Sequence, residues 1–450
     1  MSLIENASGY ALAFQANDTT SSAMQKAIAE WFDLYYRCTP TKEYDPCQRV
    51  PYTIVRKLTK TVFSEYTANS KDEFADKILK AIGAKASDAM QMALIGGECG
   101  LKPMPAKDGF NFVVVPRNNI LVFARDAEGS MTDIGTAEIS TSGNRYYTLL
   151  ERRTVDASGH LTIRNRLFQS YTKGTIGQAV PLSTLPKYAD LQEEYTFTKP
   201  VGSVGLISLR TPMTNCVDGT SDAVSVYAAA AGLIRNIDRN EAQINGEFER
   251  GESRIIVSAD LLGKDKDGNK KLQDHIFVGL DEDAETTGIT TFSPTLREAS
   301  FLARKQEYLR NVENVIGLKR GLLSEVEAAE RTATEITSSA GEYNLTIIDF
   351  QRMWEEMIAE AMRLCSILGQ LYRLPGAHEV QEDAVVFNWG NGVLYDEAKT
   401  NAELLSQVQS GLLQPERYMG WYHNLPCETQ AERDKIRKDY MPVAVDEGTE

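Results

Sequence analysis

Histidine and cysteine are the side chains best suited to metal or nucleophile chemistry, and in this 450-residue chain their spacing does not support it. His160, His275, His378 and His423 lie far apart, with no partner three or four residues away. A metal-binding or general-base role would therefore need the fold to gather isolated residues. Cys38, Cys47, Cys99, Cys216, Cys365 and Cys427 are scattered without a CxxC pair. They read as reduced and mostly structural, which disfavours both a zinc site and a disulfide scaffold.

Phosphate chemistry has no better support. The chain lacks GxxxxGK[ST], GxSxG, HExxH and a strand followed by GxGxxG. The glycine-rich GGECGLK at residues 96–102 has the wrong spacing for a phosphate loop and no hydroxyl residue to hold magnesium. DKDGN at residues 265–269 begins like a calcium loop, but its ligand series stops without a bidentate glutamate and reads as a polar hairpin turn. The expectation is a non-enzymatic chain with no catalytic residue, metal or cofactor.

The charged residues point to partners instead. A net charge of -15 disfavours a conventional DNA clamp, which needs clustered lysine and arginine to displace counterions. Two places still concentrate charge: the turn GKDKDGNKK, with Lys264, Lys266, Lys270 and Lys271, and the stretch from Arg297 to Arg331. The latter mixes Arg304, Lys305, Arg310, Lys319 and Arg320 with Glu298, Glu307, Glu313, Glu325, Glu327 and Glu330, and is nearly neutral. The opening residues lack a basic start followed by an apolar core, and the apolar run at 224–234 is too short for a bilayer. A chain made and used in cytosol-like conditions, without a membrane partner, is expected.

The elements that would position these residues follow from periodicity. Residues 21–36 place Met24, Ile28, Trp31, Phe32 and Tyr35 on one helical face, with a serine ahead to cap it. A second helix is expected over 71–94, then strands over 110–115, 120–124, 146–152 and 160–169, so the first two hundred residues read as a mixed α+β region. Over 222–248, Tyr227, Ala230, Ile234, Ile237, Glu241, Ile244 and Phe248 form a narrow seam on a long helix. Strands at 254–257 and 275–280, joined by the polar turn, make a small insertion. A second long helix begins near Pro294, carrying Leu302, Leu309 and Ile316 at heptad spacing beside Phe301, Tyr308 and Val315.

Gly317 and Gly321 then bracket Leu318, Lys319 and Arg320 and open a flexible connection. Residues 332–372 read as a helix of about 60 Å, interrupted at Gly341 and closed by Pro375. Its face of Phe350, Trp354, Met357, Ile358, Ala361, Cys365, Leu368 and Tyr372 is wide enough to pack on the N-terminal region. A strand at 384–389, an Asn391–Gly392 turn, helices over 396–410 and 415–424 and an acidic tail complete the chain.

Five stretches give this order a family likeness: AIAEWFDLYY, YYTLLERRTVDASGHLTIRNRLFQ, FSPTLREASFLARKQEYLRNVENVIGLKRGLLS, RTATEITSSAGEY and VVFNWGNGVLYDEAKTNAELLSQVQSGLLQPE. Spread between residues 27 and 416, they resemble the portal, or minor capsid, proteins of long-tailed phages infecting Gram-positive bacteria. The C-terminal region carries no motif of that family.

The resemblance implies the α+β portal fold: a wing (1–220), a first stem helix (221–250), a clip (251–292), a second stem helix (293–316), a tunnel loop (317–331), a long wing helix with its returning strand (332–396) and a small helical crown with the acidic tail (397–450). It also implies a ring of twelve at one capsid vertex, assembled in the host cytoplasm, through which double-stranded DNA passes without sequence preference. Lys319, Arg320, Glu325, Glu327, Glu330 and Arg331 would then line the channel, and the four turn lysines would dock partners. Those partners would be the large terminase subunit, a head-completion adaptor, the major capsid protein and a scaffolding protein. Tyr227, Ile234, Ile237, Ile244, Leu302, Leu309 and Ile316 would pack against sister subunits around the axis. The rival reading is a coiled-coil scaffold or filament protein, which the heptad stripes permit and the strand-rich first half disfavours.

Overall fold

The computed structural model describes residues 3–36, 46–127, 129–250, 296–325, 333–381, 384–389, 397–423, 425–427 and 429–441, together with the backbone of 254–257, 262–264, 270–272 and 289–292. The fold is α+β, with its strands in antiparallel sheets.

Helices α1 (Ala7–Phe14) and α2 (Ser22–Tyr36) open the chain. On α2 the expected face of Met24, Ile28, Trp31 and Phe32 is buried, and Ser21 Oγ accepts the Met24 N–H at 3.1 Å, as a capping serine does. A helix absent from the sequence reading, α3 (Val50–Val62), buries Ile54, Val55, Leu58 and Val62. Strand β1 (Thr67–Ser70) follows it.

The single helix expected over 71–94 is two, α4 (Glu73–Gly83) and α5 (Ala86–Gly96). Asp72 caps the first by accepting the N–H groups of Phe74 and Ala75 at 2.8 and 3.0 Å. The break lets two separate stripes reach the core, Phe74, Ile78 and Ile82 on one helix and Ala89, Met90, Ala93 and Leu94 on the other. One straight helix could not aim both inward.

Strands β2 (Glu98–Ala106) and β3 (Gly109–Pro116) form a three-stranded sheet with β10 (Ile207–Arg210), in the order β10-β2-β3. Two prolines hide β2 from a sequence reading. They are tolerated because β10 pairs only with residues 98–101, leaving Pro103 and Pro105 beyond its reach with β3 alone as neighbour. A six-stranded sheet follows: β4 (Ile120–Arg125), β5 (Met131–Ser142), β6 (Arg145–Val155), β7 (Leu161–Ser170) and β8 (Gln178–Val180) in that order, with β9 (Glu194–Thr196) also paired to β7. All the expected strands of these two sheets are present, and β2, β5, β8, β9 and β10 are additions.

The second half carries helix α6 (Ala231–Arg250), strands β11 (Arg254–Val257), β12 (Leu262–Lys264), β13 (Lys270–Leu272) and β14 (Ile289–Phe292), and helix α7 (Glu298–Ile316). Helix α8 (Ala333–Leu371) spans 39 residues, about 58 Å at 1.5 Å per residue, and runs without interruption through Gly341, contrary to the sequence expectation. A glycine inside so long a helix costs only about 1 kcal/mol, too little to break it.

The expected face of α8 is buried from Phe350 to Leu368, while Tyr372, past the helix end, is half-exposed. Trp354 anchors it: its indole N–H donates to the Tyr66 hydroxyl at 2.9 Å and its ring meets Phe63 edge-on at 4.9 Å. Strand β15 (Val385–Asn388) returns to pair with β1. Helices α9 (Glu397–Gln409), α10 (Pro415–Tyr422) and α11 (Gln430–Tyr440) close the described chain. The last was not expected from sequence, although Thr429 and Glu432 build a capping box for it.

Candidate assembly and channel surfaces

The seam helices pair with each other before they meet anything else. Asn240 Nδ2 donates to the Phe301 carbonyl at 3.0 Å, and Lys305 Nζ reaches Glu241 and Gln48 at 2.8 Å each. Arg297 grips Glu247 with two hydrogen bonds at 3.0 and 2.9 Å, which hold its guanidinium pKa above the ordinary arginine value. Helix α6 is also tied to the N-terminal region, where Asp238 accepts the Gln48 N–H at 2.9 Å and Arg235 pairs with Glu30 at 2.6 Å.

These ties count against the expectation that the seam residues pack against sister subunits. The helix begins at Ala231 rather than near residue 222, and Tyr227 and Ala230 sit in the turn ahead of it, fully buried. Ile234, Ile237, Ile244, Leu309 and Ile316 are likewise buried within the single chain. The physical reason is that the N-terminal helices and α8 share one continuous core with Ile234, Ile237, Leu309 and Ile316, while Ile244 is buried apart from it, near Leu296 and Phe301. Of the seven residues expected at a subunit interface, Leu302 alone stands out, 44% exposed. Phe248 and Val315, at 46% and 50%, are the other exposed large apolar side chains of this helix pair.

The insertion carries a pairing that the sequence reading did not include. Strand β11 pairs with β14, and residues 275–280, the strand expected beside it, lie outside the described residues. Strands β12 and β13 form an inner hairpin in which Lys264 stands opposite Lys270 and Gly263 opposite Lys271. Lys266 lies outside the described residues.

The connection after α7 is held rather than free over its first half. Gly317 takes a left-handed φ of 77° and closes the helix, with the Leu318 N–H returning to the Glu313 carbonyl at 2.8 Å. The Glu313 carboxylate, buried, accepts the N–H groups of Gly321, Leu323 and Ser324 at 3.2, 2.5 and 2.9 Å and the Ser324 hydroxyl at 2.7 Å. Gln306 accepts the Glu325 N–H at 2.9 Å, and Lys57 donates to the Leu322 carbonyl. Lys319, Arg320 and Glu325 are exposed on this turn, whereas Glu327, Glu330 and Arg331 lie outside the described residues.

Sequence reasoning counted Glu313 only as one charge among many. No side-chain pattern marks it, because its partners are backbone N–H groups of a turn that folds back over the helix end.

Elsewhere the structure offers cavities without convergent chemistry. One of about 900 Å³ lies along α8 beside β15, lined among others by Lys199, Glu360, Arg363, Gln370, Glu379 and Phe387. A smaller one, about 360 Å³, gathers Glu98, Arg125, Ser208, Arg210, Glu356 and Glu360. Here Glu360 accepts the Ser208 N–H at 3.3 Å, Glu98 accepts the Ser208 hydroxyl, and burial pushes the Glu360 carboxyl pKa up. Among the described residues no group of three or more His, Cys, Asp or Glu could hold a metal ion, and no helix is long and apolar enough to cross a membrane. Cys99 and Cys365 are buried thiols whose pKa burial raises, which makes them poor nucleophiles.

No known protein family and no curated protein matches the chain. Among solved structures it is similar to a chain from the neck of a native GTA particle computed with C12 symmetry, at 11% identity and a TM-score of 0.48, covering 94% of this chain and 99% of that one. It is also similar to a chain from the neck of an empty GTA particle computed with C6 symmetry, at 11% identity and a TM-score of 0.45, covering 89% and 94%. At that identity, and with both scores under 0.5, the likeness assigns no function to this chain.

Proposed function

We propose that the chain is a phage portal subunit, a non-enzymatic component of a closed ring of about twelve copies at one capsid vertex, through which double-stranded DNA is packaged and released. The observation that carries this reading is the order and connection of the second half. An antiparallel helix pair bears a thin strand insertion at one end and a tied, charge-bearing turn at the other, and a helix of 39 residues then runs back into the α+β region. The sequence resemblance to portal proteins requires that order.

In this reading the α6–α7 pair is the stem, the insertion with Lys264, Lys266, Lys270 and Lys271 is the clip that meets the large terminase subunit and then an adaptor, and the turn with Lys319 and Arg320 faces DNA. The major capsid and scaffolding proteins would surround the wing. Weak, unspecific phosphate contact suits a conduit, because every fixed cation that neutralises a phosphate strengthens retention. Place of action would be the virion, after assembly in the host cytoplasm.

A filament or scaffold coiled coil is the second reading, and the burial of six of the seven seam residues inside one chain speaks against it, because little stripe is left for a partner helix. Mass measurement of the purified, intact protein separates the two. A discrete assembly of about 600 kDa, twelve copies of a 50.0 kDa chain, is expected, and a polydisperse polymer or a monomer at all concentrations would overturn the proposal.

A further inference from the structure

A fully buried carboxylate that collects four donors from a stretch of four residues is an organising centre, because away from water its oxygens depend on those donors. Glu313 is that centre for residues 321–324. The turn it holds contains two left-handed glycines, Gly317 at φ 77° and Gly321 at φ 88°, so its backbone has little intrinsic preference for the observed course. Neighbouring elements add single ties: Lys57 on α3 to the Leu322 carbonyl, and Thr346 on α8 to the Gly317 carbonyl at 3.4 Å. Lys319 and Arg320 lie between the glycines, exposed.

We infer that Glu313 is the positioning residue for the Lys319–Arg320 pair, the buried anion that fixes where the two exposed cations meet the phosphates of double-stranded DNA. This rests on the portal reading for its ligand, while the anchoring itself does not. Glu313 touches no DNA. It acts by removing the freedom the glycines would give, so that phosphate contact is made at a set height and without an ordering cost at each encounter. Ligand contact and turn order should therefore fail together when the carboxylate loses its charge.

Two measurements on the assembled, full-length protein test this, comparing wild type with Glu313→Gln and with the double variant Lys319→Ala/Arg320→Ala. Amide hydrogen exchange at Gly321, Leu323 and Ser324 should rise about tenfold or more in Glu313→Gln, the loss expected for charge-assisted hydrogen bonds, while amides in the middle of α7 and α8 stay protected. Unchanged exchange at the three amides overturns the anchoring.

Affinity for a short DNA duplex, followed against salt, should fall in both variants, with a shallower salt slope and unchanged assembly mass. Adding Glu313→Gln to the double variant should lower it no further. Loosened amides with wild-type DNA affinity overturn the positioning role, provided the double variant is weakened. If the double variant itself binds like wild type, the channel reading of this turn fails, and the DNA role of Glu313 falls with it. Should Glu313→Gln not fold, Glu313→Asp retracts the oxygens by one carbon while keeping the charge, and the same shifts in smaller measure are expected.

Discussion

The Tyr227 hydroxyl donates a 2.8 Å hydrogen bond to the carbonyl of Trp31, nearly two hundred residues earlier in the chain, and both side chains are buried. The first residue of the apparent inter-subunit seam is thus a bolt inside one subunit. Tyr227→Phe should destabilise the folded chain by about 1 kcal/mol, the net worth of one buried hydrogen bond to a carbonyl that keeps its place in the α2 helix ladder, and leave subunit association unchanged. Denaturant unfolding checks the first part, and assembly mass the second.

Association should instead respond at the apolar side chains that remain exposed on the helix pair. Leu302→Glu and Val315→Glu place a charge at positions 44% and 50% exposed, so each should shift subunit unfolding by less than about 0.5 kcal/mol. If these positions face a sister copy, each should weaken assembly by about tenfold or more, since the charge would be desolvated there. Sedimentation over a concentration series measures this.

Two glycines make a contrasting pair. Gly97 has φ +82°, and a Cβ there would lie 2.5 Å from the Ala223 carbonyl oxygen, whereas a Cβ at Gly83, the last residue of α4, meets nothing within 4 Å. Gly97→Ala should cost about 2 kcal/mol or more, and Gly83→Ala should gain up to about 1 kcal/mol, both by thermal unfolding.

The region after α8 carries a pH-dependent tie. His378 is held by the Gly376 carbonyl and by Asp72, at 2.8 and 2.6 Å, and these contacts raise its pKa above 6.5. A raised folded-state value means that its contribution is fully present below the unfolded pKa and is lost as pH rises through the folded one. His378→Gln should therefore lower the melting temperature at about pH 6 and much less at about pH 9, with the gap closing between them as the wild-type imidazole loses its proton. Because the pair is largely exposed, high salt should shrink the gap.

Much of this fold is legible from periodicity. Trp354, Met357, Ile358, Ala361 and Cys365 mark the buried face of α8 without ambiguity, and the strands of the first half are bounded by their Gly and Asn turns. What periodicity does not carry is the identity of the covering surface. The steps from Tyr227 to Ile237 read the same whether the stripe meets a sister helix or, as here, the core of its own chain. Prolines at 103 and 105 hid β2, since their tolerance depends on how far β10 extends. The role of Glu313 was invisible because it depends on backbone donors that the sequence does not display.

Direct imaging of the purified protein tests the central claim. Negative-stain electron micrographs should show closed rings of about twelve subunits with a central opening wide enough for a DNA duplex, because a heterologous interface whose rotation closes gives every copy the same two neighbours. Fields of fibres, or of compact single particles at every concentration, would contradict the account.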